Sequence, residues 1–437
     1  MKKVFENQSL VLNFSCLFII LFPASLIAGP FLSELLMNLT SILITYTILK
    51  EKKYYYFKNK VVYLFLFFCL YIFLISFISQ DKLLSFKVSL FYFRYGLFVI
   101  AFLYILDNTK NFLKIFFYTL LITLAVLIFD GYFQFITGEN VFGFSPDRKD
   151  RLGGLFFDEL ILGSFILKMF PLLCIAYYYV GLTNFSKFNY KYINLKTIIL
   201  FLIVISYALI FFSGERAAFI LVNFFIFISS PVIVNKNNLK RFIIALIIFS
   251  YSLIVVIANN NKIKDRYVDQ FIRHIVSSEE NKIIFFPEHA FFFRISKNMF
   301  LDSVILGQGP KTFRAVCFKK KFRKNLEEVA KRDFDPSDMY HGCTTHTHNY
   351  YLQLLSETGL IGFSFVFIFF LSLFKIYYYS CKQDNKIKIL ITSGLIVNLW
   401  PLTTTGNFFN NWISMTLFLL IALFFYFTEN DSFKQKL

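Results

Sequence analysis

Uninterrupted apolar runs, many of them about 18 residues or longer, recur along the sequence and limit what this chain can fold into. A helix rises about 1.5 Å per residue, so each run is long enough to cross the hydrocarbon core of a bilayer. Charged residues make up only 16% of the 437 residues, whereas a soluble domain carries about a quarter. The pattern predicts an all-α, polytopic membrane protein and argues against a soluble one.

The runs predict about twelve transmembrane helices, and an even number places both termini on the same side of the membrane. The candidate spans begin near Leu10, Phe31, Val61, Val88, Ile115, Leu155, Thr197, Ala217, Phe242, Leu360, Ile387 and Trp412. If the termini are cytoplasmic, 21 Lys and Arg residues lie in cytoplasmic segments and six lie in the short outer loops. Because short cytoplasmic loops are enriched in Lys and Arg, we expect both termini to be cytoplasmic.

One long polar segment, residues 259–357, interrupts the apolar pattern and contains all five histidines. The predicted topology places this segment on the outer face, which is the periplasm in a Gram-negative cell. It separates residues 1–258, with helices 1–9, from residues 358–437, with helices 10–12. We expect a large folded loop before helix 10 that carries the titratable chemistry.

The formal net charge of +18 would suggest nucleic-acid binding in a soluble protein. Here most of it follows the predicted topology, so we expect membrane lipids as partners and no nucleic acid. Arginines, however, are concentrated at the outer boundary, at Arg151, Arg216 and Arg94. The planar guanidinium suits bidentate binding of phosphate oxygens. Arg94 falls inside a span, where an ionisable group indicates function; alternatively, it extends to the interface or pairs with a nearby carboxylate.

The polar segment ends in a stretch where a histidine precedes a helix. His348 and Asn349 open a short helical pattern in which Leu352 and Leu355 share one face. A helix N-terminus lowers the proton affinity of an imidazole, so we expect a neutral ring that is able to accept a proton. A capping or packing histidine is the alternative.

Other histidines and the loop cysteines permit further chemistry. His341, His346 and His348 could converge on zinc, but the sequence fixes no fourth ligand and contains no HExxH helix, so we expect no metal. Cys317 and Cys343 share the outer loop, where an oxidising compartment favours a disulfide. Two unrelated thiols are the alternative.

The histidine stretch resembles a signature of a known family. Residues 348–362, HNYYLQLLSETGLIG, are similar to the segment that closes the large periplasmic loop in bacterial O-antigen ligases and O-antigen polymerases. Upstream motifs resemble those of the family, in the same order, at residues 151–156, at residues 213–218, and at Arg294 followed by residues 306–310. The family often has Asn-Pro or His-Pro after the first of these motifs, where this chain has Phe157-Asp158-Glu159.

This resemblance implies a glycosyltransferase of the bacterial inner membrane with its active site facing the periplasm. Such an enzyme moves a glycan from an undecaprenyl diphosphate carrier to an acceptor hydroxyl, without a metal, a nucleotide sugar or another cofactor. The acceptor is lipid A core in a ligase and a lipid-linked glycan in a polymerase, and we favour the ligase. A single displacement inverts the anomeric carbon.

The resemblance also implies roles for individual residues. The catalytic base needs a neutral ring near the acceptor oxygen, and the leaving diphosphate needs fixed positive charge. The expected site residues are the base His348, the diphosphate-binding Arg216, Arg151, Arg294 and Arg94, and the supporting Asn349, Glu215 and His346.

Two other classes of membrane protein fit the sequence less well. Metal-dependent lipid-linked glycosyltransferases usually carry an acidic pair in the first outer loop. Here that loop is little more than Gly29-Pro30, with no carboxylate before Glu34. Transporters and flippases for lipid-linked sugars place polar groups at the membrane midplane, whereas this chain gathers them on one face.

Overall fold

The computed structural model describes residues 9–58, 60–148, 150–182, 194–233, 252, 255–270, 272, 287–324, 326 and 343–429. In these ranges all regular secondary structure is helical and no strand occurs. The prediction of an all-α protein with several helices able to span a membrane is confirmed. His341 and the span expected from Phe242 lie outside the described residues.

The described helices, in chain order, are α1 (Leu10–Ala28), α2 (Pro30–Lys50), α3 (Lys60–Ser76), α4 (Lys82–Ser89), α5 (Arg94–Asn108), α6 (Phe112–Thr137), α7 (Leu162–Leu182), α8 (Leu195–Phe212), α9 (Arg216–Ile228), α10 (Ser230–Ile233), α11 (Asn261–Lys264), α12 (Pro287–Asp302), α13 (Phe313–Val316), α14 (Tyr350–Lys382), α15 (Lys386–Asn398) and α16 (Asn411–Glu429). Shorter turns are the 3₁₀ segments Tyr54–Phe57, Gly154–Phe156 and Lys320–Phe322 and the π-helical Asp265–Asp269.

Eight helical stretches of the described chain are long and apolar enough to cross a membrane. These stretches are α1, α2, the segment Lys82–Asn108 that contains α4 and α5, α6, α7, α8, α14 and α16. Helices α3 and α9 are apolar but shorter, and α15 has 13 residues. The chain is therefore a multi-pass membrane protein, whereas the count of twelve spans stays a prediction.

Helix α7 begins at Leu162, seven residues after the predicted start at Leu155. The residues before it fold back onto α6, because the Gln134 side-chain oxygen accepts hydrogen bonds from the amides of Gly153 (3.1 Å) and Gly154 (2.8 Å). These buried amides need partners, and the glutamine of α6 provides them. The apolar run is thus longer than the helix that it contains.

Helix α14 begins at Tyr350, before the span expected from Leu360, and it bends at Gly359, where φ is 61°. The bend docks onto the turn that follows α12, since the Leu360 amide donates to the carbonyl of Val304 (2.9 Å). The first part of α14 therefore belongs to the same packed unit as the outer loop.

Contacts between helix ends define two faces of the bundle. On one face, Lys53 Nζ donates to Asn108 Oδ1 (3.1 Å). On the other, Trp412 Nε1 donates to the carbonyl of Leu26 (2.9 Å). We call the face that carries the Trp412 contact the site face, because the histidine stretch and residues 287–324 lie there. That the site face is periplasmic stays a prediction.

The described part of the outer loop has a small apolar core of its own. Phe291 and Met299 of α12 pack against Phe313 of α13. The structure pairs Cys317 with Cys343 as a disulfide, with their Cα atoms 5.5 Å apart. This bridge ties the end of α13 to the segment that leads into the histidine stretch. The division of the chain at residues 258 and 357 stays a prediction.

Candidate active site

His348 lies in a turn immediately before α14, with a positive φ of 56°. Its carbonyl oxygen accepts a hydrogen bond from the Thr405 amide (2.9 Å). The next residue, Asn349, caps α14: its side-chain oxygen accepts from two amides of the first helical turn at 3.0 and 3.1 Å, and its Nδ2 donates to the carbonyl of Pro401 (2.7 Å). The segment that joins α15 to α16, called the 399–410 loop below, therefore fixes the backbone of the histidine turn.

The imidazole rings of His289, His346 and His348 pack against one another at this turn. The ring centroid of His348 is 4.1 Å from that of His346, 5.2 Å from that of His289 and 5.1 Å from that of Phe292. His346 Nε2 lies 3.2 Å from the carbonyl oxygen of Thr405, and because a carbonyl only accepts, this nitrogen carries the proton. Within the described ranges, neither ring nitrogen of His348 makes a hydrogen bond, so both can receive a substrate group.

Burial keeps the imidazoles of His346 and His348 neutral. It lowers the pKa of His348 to about 3, with the neighbouring His346 and His289 lowering it further. Burial also lowers the pKa of His346 to about 4, opposed by its contact with Thr405 and reinforced by the charge of Arg314. At neutral pH, His348 therefore has a ring nitrogen that can accept a proton.

A second group of residues surrounds the turn between α8 and α9. We call Arg148, Arg151, Arg216 and Arg266 the guanidinium cluster. The Leu152 amide donates to the carbonyl of Ser213 (3.1 Å), which brings the segment before α7 onto this turn. Arg151 Nη2 then lies 3.6 Å from Glu215 Oε2, and Arg266 Nε donates to the carbonyl of Gly214 (2.8 Å). Glu215, which was predicted as a supporting residue, thus lies beside an arginine of the cluster.

The guanidinium cluster holds more positive than negative charge. Burial lowers the pKa of Arg266 to about 10, and the charges of Arg216, Arg151 and Arg148 lower it further, while Asp150 opposes them. Burial raises the pKa of Glu215, and the charge of Arg151 opposes this. Since two carboxylates face four guanidinium groups, the cluster suits an anionic ligand.

The 399–410 loop connects the histidine turn to the guanidinium cluster. Ahead of this loop, Asn398 Oδ1 lies 3.5 Å from Lys168 Nζ of α7. After it, the ring of Trp412 lies 5.8 Å from that of Phe165, also on α7. The first turn of α7 in turn carries Ser164, which donates to Glu215. The two groups therefore share the site face and one set of supporting contacts.

Arg94, the first residue of α5, has a different neighbourhood. Its Nη2 lies 3.3 Å from Glu34 Oε1, which is the carboxylate pairing that the sequence left open as an alternative. Burial lowers the pKa of Lys311, and the charges of Arg314 and Arg94 lower it further, while Glu357 and Glu34 oppose them. We call Arg94, Lys311 and Arg314 the Lys311 cluster.

Glu357, for which the sequence predicted no individual role, organises the outer loop. It is fully buried in α14 and accepts hydrogen bonds from the amides of Lys311 (2.8 Å) and Phe313 (3.0 Å) and from Gln353 Nε2 (3.0 Å). These bonds attach the first turn of α13 to α14. The position of Arg314 therefore depends on Glu357.

The remaining predicted site residues are placed but not tested. Arg294 is half-buried on α12, five residues after His289, and its contact with a diphosphate stays a prediction. Within the described ranges, no group of three or more His, Cys, Asp and Glu side chains is arranged to hold a metal ion. The metal-free site also stays a prediction, because His341 lies outside these ranges.

Fold and site together define a multi-pass helical membrane protein with a polar, partly buried site at one face of its bundle. A family model described as O-antigen ligase matches residues 200–367, a range that contains the turn at Glu215 and the histidine turn. This match agrees with the O-antigen ligase and polymerase family that the sequence motifs resemble. No curated protein matches the sequence.

Proposed function

We propose that this protein transfers a glycan from undecaprenyl diphosphate to an acceptor hydroxyl at the periplasmic face of the bacterial inner membrane. The observation that carries the proposal is a neutral His348 with open ring nitrogens on the same face as the guanidinium cluster. Transfer to lipid A core, as in a ligase, is the form we favour. Transfer to a second lipid-linked glycan, as in a polymerase, uses the same chemistry.

In the proposed reaction, a ring nitrogen of His348 accepts the proton of the acceptor hydroxyl while the hydroxyl oxygen attacks the anomeric carbon. The bond between that carbon and the diphosphate oxygen breaks, and its electron pair leaves with the diphosphate. Attack and departure take place on opposite sides of the sugar in one step. The anomeric configuration therefore inverts.

The guanidinium cluster supports the departure of the diphosphate. Negative charge develops on the leaving oxygens in a partly buried site, where fixed positive groups stabilise it more than they would in water. Arg151 and Arg216 were predicted for this role, and Arg266 joins them in the cluster. Because these residues provide the charge themselves, the proposal invokes no metal ion or other cofactor.

We expect binding of the donor to raise the pKa of His348. With a pKa of about 3, His348 accepts a proton weakly before the donor binds. An anion bound nearby favours the charged form of an imidazole and raises its pKa. His348 then becomes an effective base when the diphosphate is in place, so proton transfer is coupled to donor binding.

The substitution His348→Ala tests this function, with His346→Ala as the matched control. The donor is the precursor lipid extracted from cells that lack this protein, presented to the purified enzyme in proteoliposomes. We expect His348→Ala to slow glycan transfer by about 100-fold or more. His346→Ala should cost much less, because His346 Nε2 is already bonded to a carbonyl. In cells, the first variant should accumulate lipid-linked precursor, and normal glycan products from it would contradict the proposal.

A further inference from the structure

The Lys311 cluster is a second concentration of positive charge, and the donor site does not require it. Arg94 and Arg314 each act electrostatically on Lys311, and all three side chains are partly accessible. The carboxylates that face them are Glu34 and Glu357. Of these two, Glu34 contacts a side chain of the cluster, through Arg94 at 3.3 Å.

The hydrogen-bonding capacity of this cluster is not fully used by the described protein. Glu357 is occupied by two backbone amides and by Gln353, so it does not pair with the side chains of Lys311 or Arg314. Among the described residues, the buried Nε atoms of Arg94 and Arg314 have no hydrogen-bond partner. Buried donors of this kind are normally bonded. An anionic ligand would provide the acceptor atoms.

The cluster lies between the histidines and an apolar crevice. Arg314 is close enough to His346 for its charge to affect that ring. Arg94 Nη2 donates to the hydroxyl of Tyr95 (3.1 Å), and the Tyr95 ring stacks on Phe418 at 5.2 Å. Phe418 belongs to the wall of an apolar crevice, whose other lining residues include Gly96. An anionic group on the cluster could therefore be joined to an apolar chain in the crevice.

We propose that the Lys311 cluster binds a phosphate group of the acceptor, whose lipid chain occupies the crevice beside α5. The inference rests on the proposed function, because it takes the guanidinium cluster to be the donor site. Each lipid substrate then has its own basic cluster, and the histidine turn receives the acceptor hydroxyl. A carrier-linked glycan and a phosphorylated glycolipid share this chemistry, and the experiment separates them.

Counting bound lipids by native mass spectrometry of the purified full-length protein tests the inference. The probes are undecaprenyl diphosphate, lipid A with two phosphates, and undecaprenol, which has no phosphate. The wild type should bind two undecaprenyl diphosphates if the acceptor is carrier-linked, or one of these plus one lipid A if it is a glycolipid. Lys311→Gln/Arg314→Gln should weaken binding of the second lipid, the one at the Lys311 cluster, by about tenfold or more. Binding of the first lipid, at the guanidinium cluster, should stay as it is. Arg266→Gln should weaken binding of the first lipid and leave binding of the second unchanged.

Two further variants separate binding from folding. Lys320→Gln/Lys324→Gln removes the same charge from exposed positions of the same loop and should bind both lipids normally. Arg314→Lys keeps the charge and should retain the second lipid, although Lys lacks the planar fork. The inference would be overturned if Lys311→Gln/Arg314→Gln bound both lipids as the wild type does. It would also be overturned if the wild type bound a single lipid and only Arg266→Gln lost it, a result that leaves the proposed function standing. No binding of any phosphate lipid by the wild type would overturn both.

Discussion

The backbone of His348 adopts a positive φ of 56°, a region that few residues other than glycine occupy. It is held there by the Thr405 amide and by ring contacts with His289 and Phe292. The sequence predicted a neutral imidazole from the nearby helix end. The main cause of the lowered pKa is instead burial of the ring. The first amides of α14 are already bonded to the Asn349 side chain.

Burial of His346 and His348 predicts a stability that depends on pH. Their folded pKa values, about 4 and about 3, lie below the ordinary value of 6.5, so the unfolded chain binds protons that the folded chain does not. Their contribution is complete above pH 6.5 and is lost as the pH falls through about 4 for His346 and about 3 for His348. We expect the melting temperature of the detergent-purified protein to drop across this window, and to drop less for His346→Gln/His348→Gln. Parallel curves for the two proteins would contradict the assignment.

At the scale of elements, α14 and the turn after α12 interlock through two glycines. A Cβ atom on Gly359 would lie 2.2 Å from the carbonyl oxygen of Ile305, and one on Gly307 would lie 2.5 Å from the carbonyl carbon of Glu357. Both glycines also have positive φ. This interlock sets the distance between α14, which begins at the histidine turn, and the loop that carries Lys311 and Arg314.

The interlock predicts an unequal cost for two glycine substitutions. Gly359→Ala adds a methyl group against backbone, whereas Gly138→Ala adds one in open space at a similarly positive φ of 89°. Gly138→Ala should cost only the conformational strain of about 1–2 kcal/mol. Gly359→Ala should lower the melting temperature further and also reduce glycan transfer, because α14 must move away from the loop. Equal melting temperatures and equal activity would count against the interlock.

At the scale of the whole molecule, the features that depend on periodicity and local motifs could be predicted from the sequence. Apolar runs predicted the membrane-spanning helices, and the ordered motifs predicted the match to the O-antigen ligase family model. A basic residue inside an apolar run would have indicated Lys168. Arg266 had no such signal, since its contacts with Gly214 and Asp150 depend on tertiary packing.

Other differences have the same origin in long-range contacts. Arg94 was grouped with the remaining arginines because all lie near predicted outer boundaries, yet it contacts Glu34 and Tyr95, and its charge acts on Lys311. Glu357 could be read as part of a signature, but its bonds to amides 44 and 46 residues earlier depend on tertiary packing. A local sequence pattern shows where such residues lie in the chain, but it does not show which residues they contact.

The central claim is that one lipid diphosphate contacts the guanidinium cluster while the sugar that it carries reaches His348. A cryo-electron microscopy structure of the protein with its precursor lipid tests this most directly. We expect the diphosphate within hydrogen-bond distance of Arg151, Arg216 or Arg266, and the anomeric carbon close enough to His348 for an acceptor hydroxyl to fit between them. A diphosphate bound away from these arginines, or an anomeric carbon out of reach of the imidazole, would contradict the account.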